Sequence, residues 1–422
     1  MAVSEPVPLS LYVHVPLCAA KCRYCDFFSV PIGLDGGSES LAARVVAETL
    51  AQLGRFLDRV PGASFDTVYV GGGTPSVLPV NLLERLLGGL ADLRPSEWTV
   101  EANPESLDRG FLDACSRAGV TRLSVGLQSM DDRLLAVLAR PATAADNARA
   151  LELIGNHWRG EASLDLIAGI PGQSIGGMLA DAAAVAGTGI GHASLYSLTV
   201  EPGTPLARLV ASGGITLNAA DLDDELWFAG RAALEAAGLR QYEVSNYARP
   251  GKQCRHNLRY WHLEPYLGVG PGAVSTLPPD LAGALTGIGV DEPVARLSNP
   301  RDIPAFLAGA GGTAGSPWGV ETEGISPSAF VLETLMVGLR LVEGISAESF
   351  RGRFGLDLDR LVPGLWRRWQ ERGLASTEEA TLRLTDRGLL RLDPLLGELA
   401  GALRPAGQPA ISVRWPDRAP HD

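Results

Sequence analysis

The chain is short of cysteine, of positive charge and of long apolar runs. Its 422 residues include five cysteines. That number is odd and three of the five crowd together, which excludes the paired framework of a disulfide-stapled secreted domain. Lys and Arg total 36 against 48 Asp and Glu, a net charge of −12. General nucleic-acid binding needs a basic surface, so that class is disfavoured. No run reads as a bilayer span, which takes ~20 mainly apolar residues. Residues 182–200 lack Asp, Glu, Lys and Arg, but three glycines and His192 interrupt them. They read as a helix end, a turn and a strand. Residues 1–8 have neither the basic cluster nor the apolar core of a secretory signal. The expectation is a cytoplasmic protein of two or three domains, where free thiols persist.

What is present is an alternation. Apolar runs at 9–15, 67–70, 98–102, 122–127, 163–168 and 193–200 read as strands. Between them, segments such as 41–57 and 81–93 space apolar residues three and four apart, as helices do. Six strand–helix repeats predict an α/β fold with a parallel sheet and right-handed crossovers. Strands rich in Val, Leu and Ile suit a sheet covered on both faces. Nearly every strand runs into unusual residues: a cysteine loop, Gly71-Gly72-Gly73-Thr74-Pro75, Asn103-Pro104, Gln128-Ser129, Gly169-Ile-Pro-Gly172 and Glu201-Pro-Gly-Thr204. Chemistry at the carboxyl ends of parallel strands predicts a barrel, and six repeats rather than eight predict a partial (β/α)6 one over residues 1–240. Residues 241–300 read as a barrel extension, ending in a Pro-, Gly- and Ala-rich linker from 276 to 300. Residues 301–400 read as helices followed by a hairpin over 374–384, a C-terminal winged-helix-like α+β domain whose plainest role is to cap the barrel. The Pro-rich residues 401–422 read as a mobile tail.

Cys18, Cys22 and Cys25 follow the first strand in a C-x3-C-x2-C spacing. Three thiolates on one short loop can hold three corners of an iron–sulfur cube. Such clusters usually take four, so one iron is left open to an outside ligand. The alternative is a zinc site with His14 as its fourth ligand, although His14 lies in a strand-like alternation. The glycine triplet lets backbone approach a ligand closely. It is neither a Walker A loop nor a dinucleotide fingerprint, because Gly-Lys-Ser/Thr is missing and Ser76 stands at the third glycine position. Glu101, Gln128, Arg140 and Asp165 are polar residues in or just past apolar strands, so each must find a partner. The partners are one another, helix ends, or a polar ligand. Further on, Cys254-Arg-His256-Asn257-Leu-Arg-Tyr260-Trp261 places a Cys-x-His pair among aromatics. Such a set suits an axial haem ligand with a stacked porphyrin, or a packed aromatic cluster under a Gly-rich turn. No C-x-x-C-H marks covalent haem attachment.

Together these motifs carry a resemblance. The cysteine spacing resembles that of the radical S-adenosylmethionine (SAM) superfamily. The runs 69–76, 241–246 and His256-Asn-x-x-Tyr-Trp261 resemble the HemW-type haem chaperones within it, over residues 8 to about 392. The resemblance implies a [4Fe–4S] cluster on Cys18, Cys22 and Cys25, with SAM chelated at the open iron. It implies that Gly72, Gly73 and Thr74 hold the methionyl part of SAM, and that Tyr12, Tyr24, Glu101, Gln128, Arg140 and Asp165 complete its site. His256, ahead of Cys254, is the first choice of haem ligand. The implied partners are haem, haemoprotein acceptors including respiratory ones, and a one-electron donor, with peripheral membrane association; the acidic charge adds the expectation of no nucleic acid. The alternative is the related oxygen-independent coproporphyrinogen III oxidase, which decarboxylates its substrate to protoporphyrinogen IX. That enzyme carries a further cysteine where this chain has Phe27, and a long segment where 17 residues precede Cys18 here. A third class, RNA-modifying radical SAM enzymes, is disfavoured by the acidic charge and the lack of a second cysteine cluster.

Overall fold

The computed structural model describes residues 9–32, 36–309, 320–403 and 411–415. Its centre is a parallel array of β1 (Leu9–Val15), β2 (Phe65–Gly72), β3 (Glu97–Ala102), β4 (Arg122–Gln128), β5 (Glu161–Ala168) and β6 (His192–Ser197), each hydrogen-bonded to the next. Period-two alternation decides what each face does. Leu11, Val13, Val68 and Val70 point outward to the helices and are fully buried. Ser10 and Tyr12 stand in register with Thr67 and Tyr69 and point inward. Residues of both faces are buried, as expected of a covered sheet: the helix-covered face is apolar, and the inner face is lined by hydroxyls, carboxylates and amides.

The sheet continues past both edges of the six-strand array. A seventh parallel strand, Tyr266–Val269, lies against β1, with Tyr266 opposite Ser10. Beyond it run Val274–Leu277, Val294–Ser298 and Glu321–Ile325, all antiparallel. On the far side Asn246–Ala248 and Arg240–Gln241 extend β6. Residues 276–300 are thus not a linker. They hold parts of two strands and the helix Pro279–Thr286. Strands of four and five residues framed by Pro and Gly show too few periods to stand out in the sequence.

The C-terminal unit has its own core of Phe330, Leu335, Phe350, Phe354, Trp366, Trp369 and Leu395. Helix Pro327–Gly338, strand Ile345–Ser346, helices Ala347–Phe354 and Pro363–Glu371, and the hairpin Ala375–Glu378/Thr381–Leu384 follow in the order of a winged helix. The hairpin turns at Glu379 and Ala380, both at positive φ (48° and 60°), as a primed two-residue turn requires. Ion pairs fasten the unit to the barrel: Arg231 to Asp386 at 2.7 Å, Arg391 to Asp224 at 2.7 Å and Arg296 to Glu333 at 2.8 Å. Residues 411–415, expected in a mobile tail, dock here. Trp415 packs on Phe330 at 5.5 Å, and the Arg414 amide donates to the Arg353 carbonyl at 2.9 Å. Residues 401 and 402 close the helix Leu392–Ala402, and residues 404–410 and 416–422 lie outside the described residues. Among the described residues no helix is long and apolar enough to cross a membrane.

Candidate functional site

The carboxyl ends of the barrel strands open into one cavity of about 370 Å³. Cys18, Cys22, Cys25, Tyr24, Gly72, Gly73, Thr74, Glu101, Gln128, Arg140 and Asp165 all line it. The cysteine loop is held at several points. Leu17–Cys18 pairs with Val30–Pro31. The Arg23 amide donates to the Leu138 carbonyl at 2.9 Å, and its guanidinium donates to the Val137 carbonyl at 3.0 Å. Lys21 donates to the Phe27 carbonyl and to Ser29.

All three thiols are free of disulfides. Among the described residues, no three His, Cys, Asp or Glu side chains converge as a single metal ion requires. The three cysteines line one cavity, and an iron–sulfur cube takes each thiolate at a different iron. Two donors already point at the sulfurs: Thr74 Oγ1 to Cys18 at 3.5 Å and Arg140 to Cys22 at 3.6 Å. The donor set and its surroundings fit a cluster. Burial pushes the Cys18 and Cys25 thiols up from their ordinary value, and binding as thiolates to a cation offsets that. His14 does not complete a zinc site. Its Nδ1 is hydrogen-bonded to the Tyr12 hydroxyl at 2.8 Å and its Nε2 to the Phe28 carbonyl at 2.9 Å, so both ring nitrogens are engaged away from the sulfurs.

The glycine triplet is required by close approach. A Cβ on Gly73 would come within 2.6 Å of the Val15 and Leu17 backbone, and one on Gly72, at φ +98°, within 2.2 Å of the His14 ring. Gly71 lies against the Glu101 carboxylate. That carboxylate accepts from the Gly72 amide at 3.0 Å and from the Tyr69 hydroxyl at 2.7 Å. Burial pushes its pKa up to about 7, the two hydrogen bonds opposing. Asp165 is also raised by burial, against the hydroxyls of Ser194, Ser124 and Ser163 and the charge of Arg140. Arg140 donates to the Gly126 carbonyl at 2.7 Å and to Asn103 Oδ1 at 3.0 Å, and Asn103 donates to Thr74 at 2.9 Å. One chain of contacts therefore joins Cys22, Arg140, Asn103, Thr74 and Cys18. Gln128 has φ +68°, beside a bulge in its pairing with β5. A left-handed glutamine at a cavity wall is backbone strain held in place by its surroundings.

Two expected residues fall outside the cavity lining. Tyr12 sits beneath it, its ring 6.2 Å from that of Tyr69. His256 lies lower still. It is half-buried, hydrogen-bonded through Nδ1 to Thr67 at 2.9 Å, with its ring 5.1 Å from Tyr69. Burial lowers its pKa to about 3. The helix Arg255–Trp261 that carries it sits at the amino ends of β2 and β3. There Glu97 accepts from the Arg255 and His256 amides at 3.0 and 2.9 Å and pairs with buried Arg122 at 3.4 Å. The motif is thus a floor for the barrel, and His256 is packed into that floor rather than presented to a ligand from outside. Sequence reasoning left Asn103, Ser124 and Tyr196 out of the site, although all three line the cavity. Asn103 did carry a signal, the Asn-Pro pair ending β3. Tyr196 carried only its place at the carboxyl end of β6.

Comparison with known proteins agrees with this arrangement. Residues 12–183 match the model of the radical SAM superfamily, and residues 325–391 that of the HemN C-terminal domain. The chain is 35% identical over 413 residues to radical S-adenosyl methionine domain-containing protein 1, mitochondrial, of Bos taurus, spanning 94% of this chain and 89% of that protein. It is 31% identical over 403 residues to heme chaperone HemW of Bacillus subtilis (strain 168), spanning 93% of this chain and all of that protein. Among solved structures, coproporphyrinogen III oxidase (HemN) of Escherichia coli superposes with a TM-score of 0.73 at 20% identity, covering 94% of this chain and 91% of that one. That likeness concerns the fold.

Proposed function

We propose that this chain, which belongs to the HemW family of the radical SAM superfamily, is a haem chaperone: it binds haem and passes it to acceptor haemoproteins. The observation that carries the reading is similarity over 93% of this chain to a protein named for that role, on a chain whose three loop cysteines and all the expected SAM residues but Tyr12 line one cavity. Phe27 bears on the alternative. It stands at the cavity mouth, 65% exposed, where the related oxidase carries a further cysteine.

Within this reading Cys18, Cys22 and Cys25 hold the [4Fe–4S] cluster, which when bound supplies an open iron and an electron. Thr74 and Arg140 donate to the sulfurs and spread their negative charge. The backbone of Gly72 and Gly73 can approach the methionyl group because no Cβ intervenes. Glu101, Asp165 and Gln128 offer acceptors for the ammonium and ribose hydroxyls of SAM. Haem is cargo, so its affinity must allow both protection and release. A SAM-linked change in that affinity requires SAM to favour one of two conformations.

The test is a handover. Cluster-reconstituted chain is loaded with haem under anaerobic conditions and mixed with an apo-haemoprotein, and the acceptor spectrum is followed. Transfer faster than from free haem supports the chaperone. No transfer, with turnover of coproporphyrinogen instead, gives the place to the oxidase.

A further inference from the structure

A second cavity, of about 350 Å³, lies in the seam between the barrel floor and the C-terminal unit. Its barrel wall is Trp261 and His262, the last residue of the floor helix and its C-cap. Its opposite wall comes from the C-terminal unit, with Phe350, Phe354, Ile345 and Arg353. The lining therefore joins aromatic and aliphatic surface to the half-buried Arg353 cation, with hydroxyls of Thr334, Ser346 and Ser349 and the Glu343 carboxylate around it.

Arg353 is unusual. It donates to the carbonyls of His262 and Leu263 at 2.8 and 2.7 Å, and its guanidinium lies 4.8 Å from the Phe330 ring. Among the described residues it has no carboxylate within ion-pairing distance, and burial pulls its pKa down to about 10. The Glu264 carboxylate acts on it from a distance, partly offsetting burial; a guanidinium in no direct ion pair beside an aromatic pocket favours an anion attached to an apolar ring. Glu343 opposes that preference at the rim. It is 64% exposed and pairs with His262 at 3.4 Å.

Resting on the haem reading above, we propose that this seam pocket is where the chain holds haem: one edge of the macrocycle lies against Trp261, Phe350 and Ile345, with a propionate facing Arg353. The pocket opens to solvent, so the opposite edge of the ring stays exposed, which suits a protein that must give its ligand away. The floor helix runs from the barrel to this pocket. Its first amides are held by Glu97 and its last side chain forms the pocket wall.

The experiment is an anaerobic haem titration of the reconstituted full chain and three variants, with SAM binding and thermal unfolding measured alongside. Ser349→Trp fills the pocket from an exposed helix position; its haem affinity should fall about tenfold or more with SAM binding kept. Glu343→Gln removes the opposing charge from an exposed site that tolerates substitution; its haem affinity should rise about threefold, the modest size expected of a screened charge. His256→Ala should bind haem as the parent does. Parent-like affinity in both Ser349→Trp and Glu343→Gln, or loss of binding in His256→Ala alone, overturns the seam site and leaves the chaperone standing. No saturable binding by the parent chain overturns both.

Discussion

Glu101 gives the sharpest test of the cavity. Its carboxyl is pushed from 4.5 to about 7, mainly by burial. The folded chain therefore binds more protons than the unfolded chain between these values. The stability this group contributes is fully present below about pH 4.5 and is lost as pH rises through about 7. The gap corresponds to about 3 kcal/mol at about 1.4 kcal/mol for each tenfold. Denaturant titrations of the chain without cluster or SAM, at about pH 5 and about pH 8.5, should show the parent losing about 2–3 kcal/mol relative to Glu101→Gln across that interval. The same ionisation governs SAM if the carboxylate is what binds it. The ionised fraction rises from about a tenth at pH ~6 to about nine-tenths at pH ~8, so SAM affinity should rise about tenfold in the parent and stay flat in Glu101→Gln. Asp165 shares the cavity and is raised by burial too, so Asp165→Asn is the companion and should keep the Glu101 slope. Parallel pH profiles for parent and Glu101→Gln, in stability and in SAM binding, would refute the reasoning.

Three further outcomes are expected. Gly72→Ala puts a Cβ within 2.2 Å of the His14 ring at φ +98°; it should cost about 3 kcal/mol or more by denaturant titration, and a loss below about 1 kcal/mol contradicts the close-approach account. Glu97→Gln leaves buried Arg122 without its counterion and weakens the hold on the floor helix. It should cost about 3 kcal/mol and speed amide exchange over residues 255–261; unchanged exchange there means Glu97 does not hold the helix. Gln128→Gly relieves a left-handed side-chain-bearing residue, so stability should hold or rise by up to about 1 kcal/mol while SAM affinity falls; retained affinity removes Gln128 from the site.

The cluster loop was legible because its chemistry is written in consecutive residues: three cysteines, then a glycine triplet one strand later. The six barrel strands were legible because each is a mainly apolar run that ends in residues of unusual chemistry and alternates with a helical pattern. The seventh parallel strand, Tyr266–Val269, was not. Four residues beside a Gly-rich turn do not disclose that their partner is β1, more than 250 positions earlier. The strands at 274–277 and 294–298 were hidden the same way. Most of the polar inner lining of the barrel was not read from the sequence, because Ser10, Tyr12, Thr67 and Tyr69 sit inside runs whose other positions are largely Val and Leu. Alternation was present, but the apolar half dominated. His256 shows the limit of motif reading. The sequence shows an imidazole among aromatics, whereas its place depends on Glu97 and Thr67, which are remote in the chain.

The central claim is that this chain carries haem, and the most direct measurement is the anaerobic haem titration of the cluster-reconstituted protein, read by absorption. The account predicts saturable binding near a single haem per chain, with the bound haem released to an apo-haemoprotein. Linear, unsaturable absorbance changes like those of haem added to an unrelated protein would contradict it.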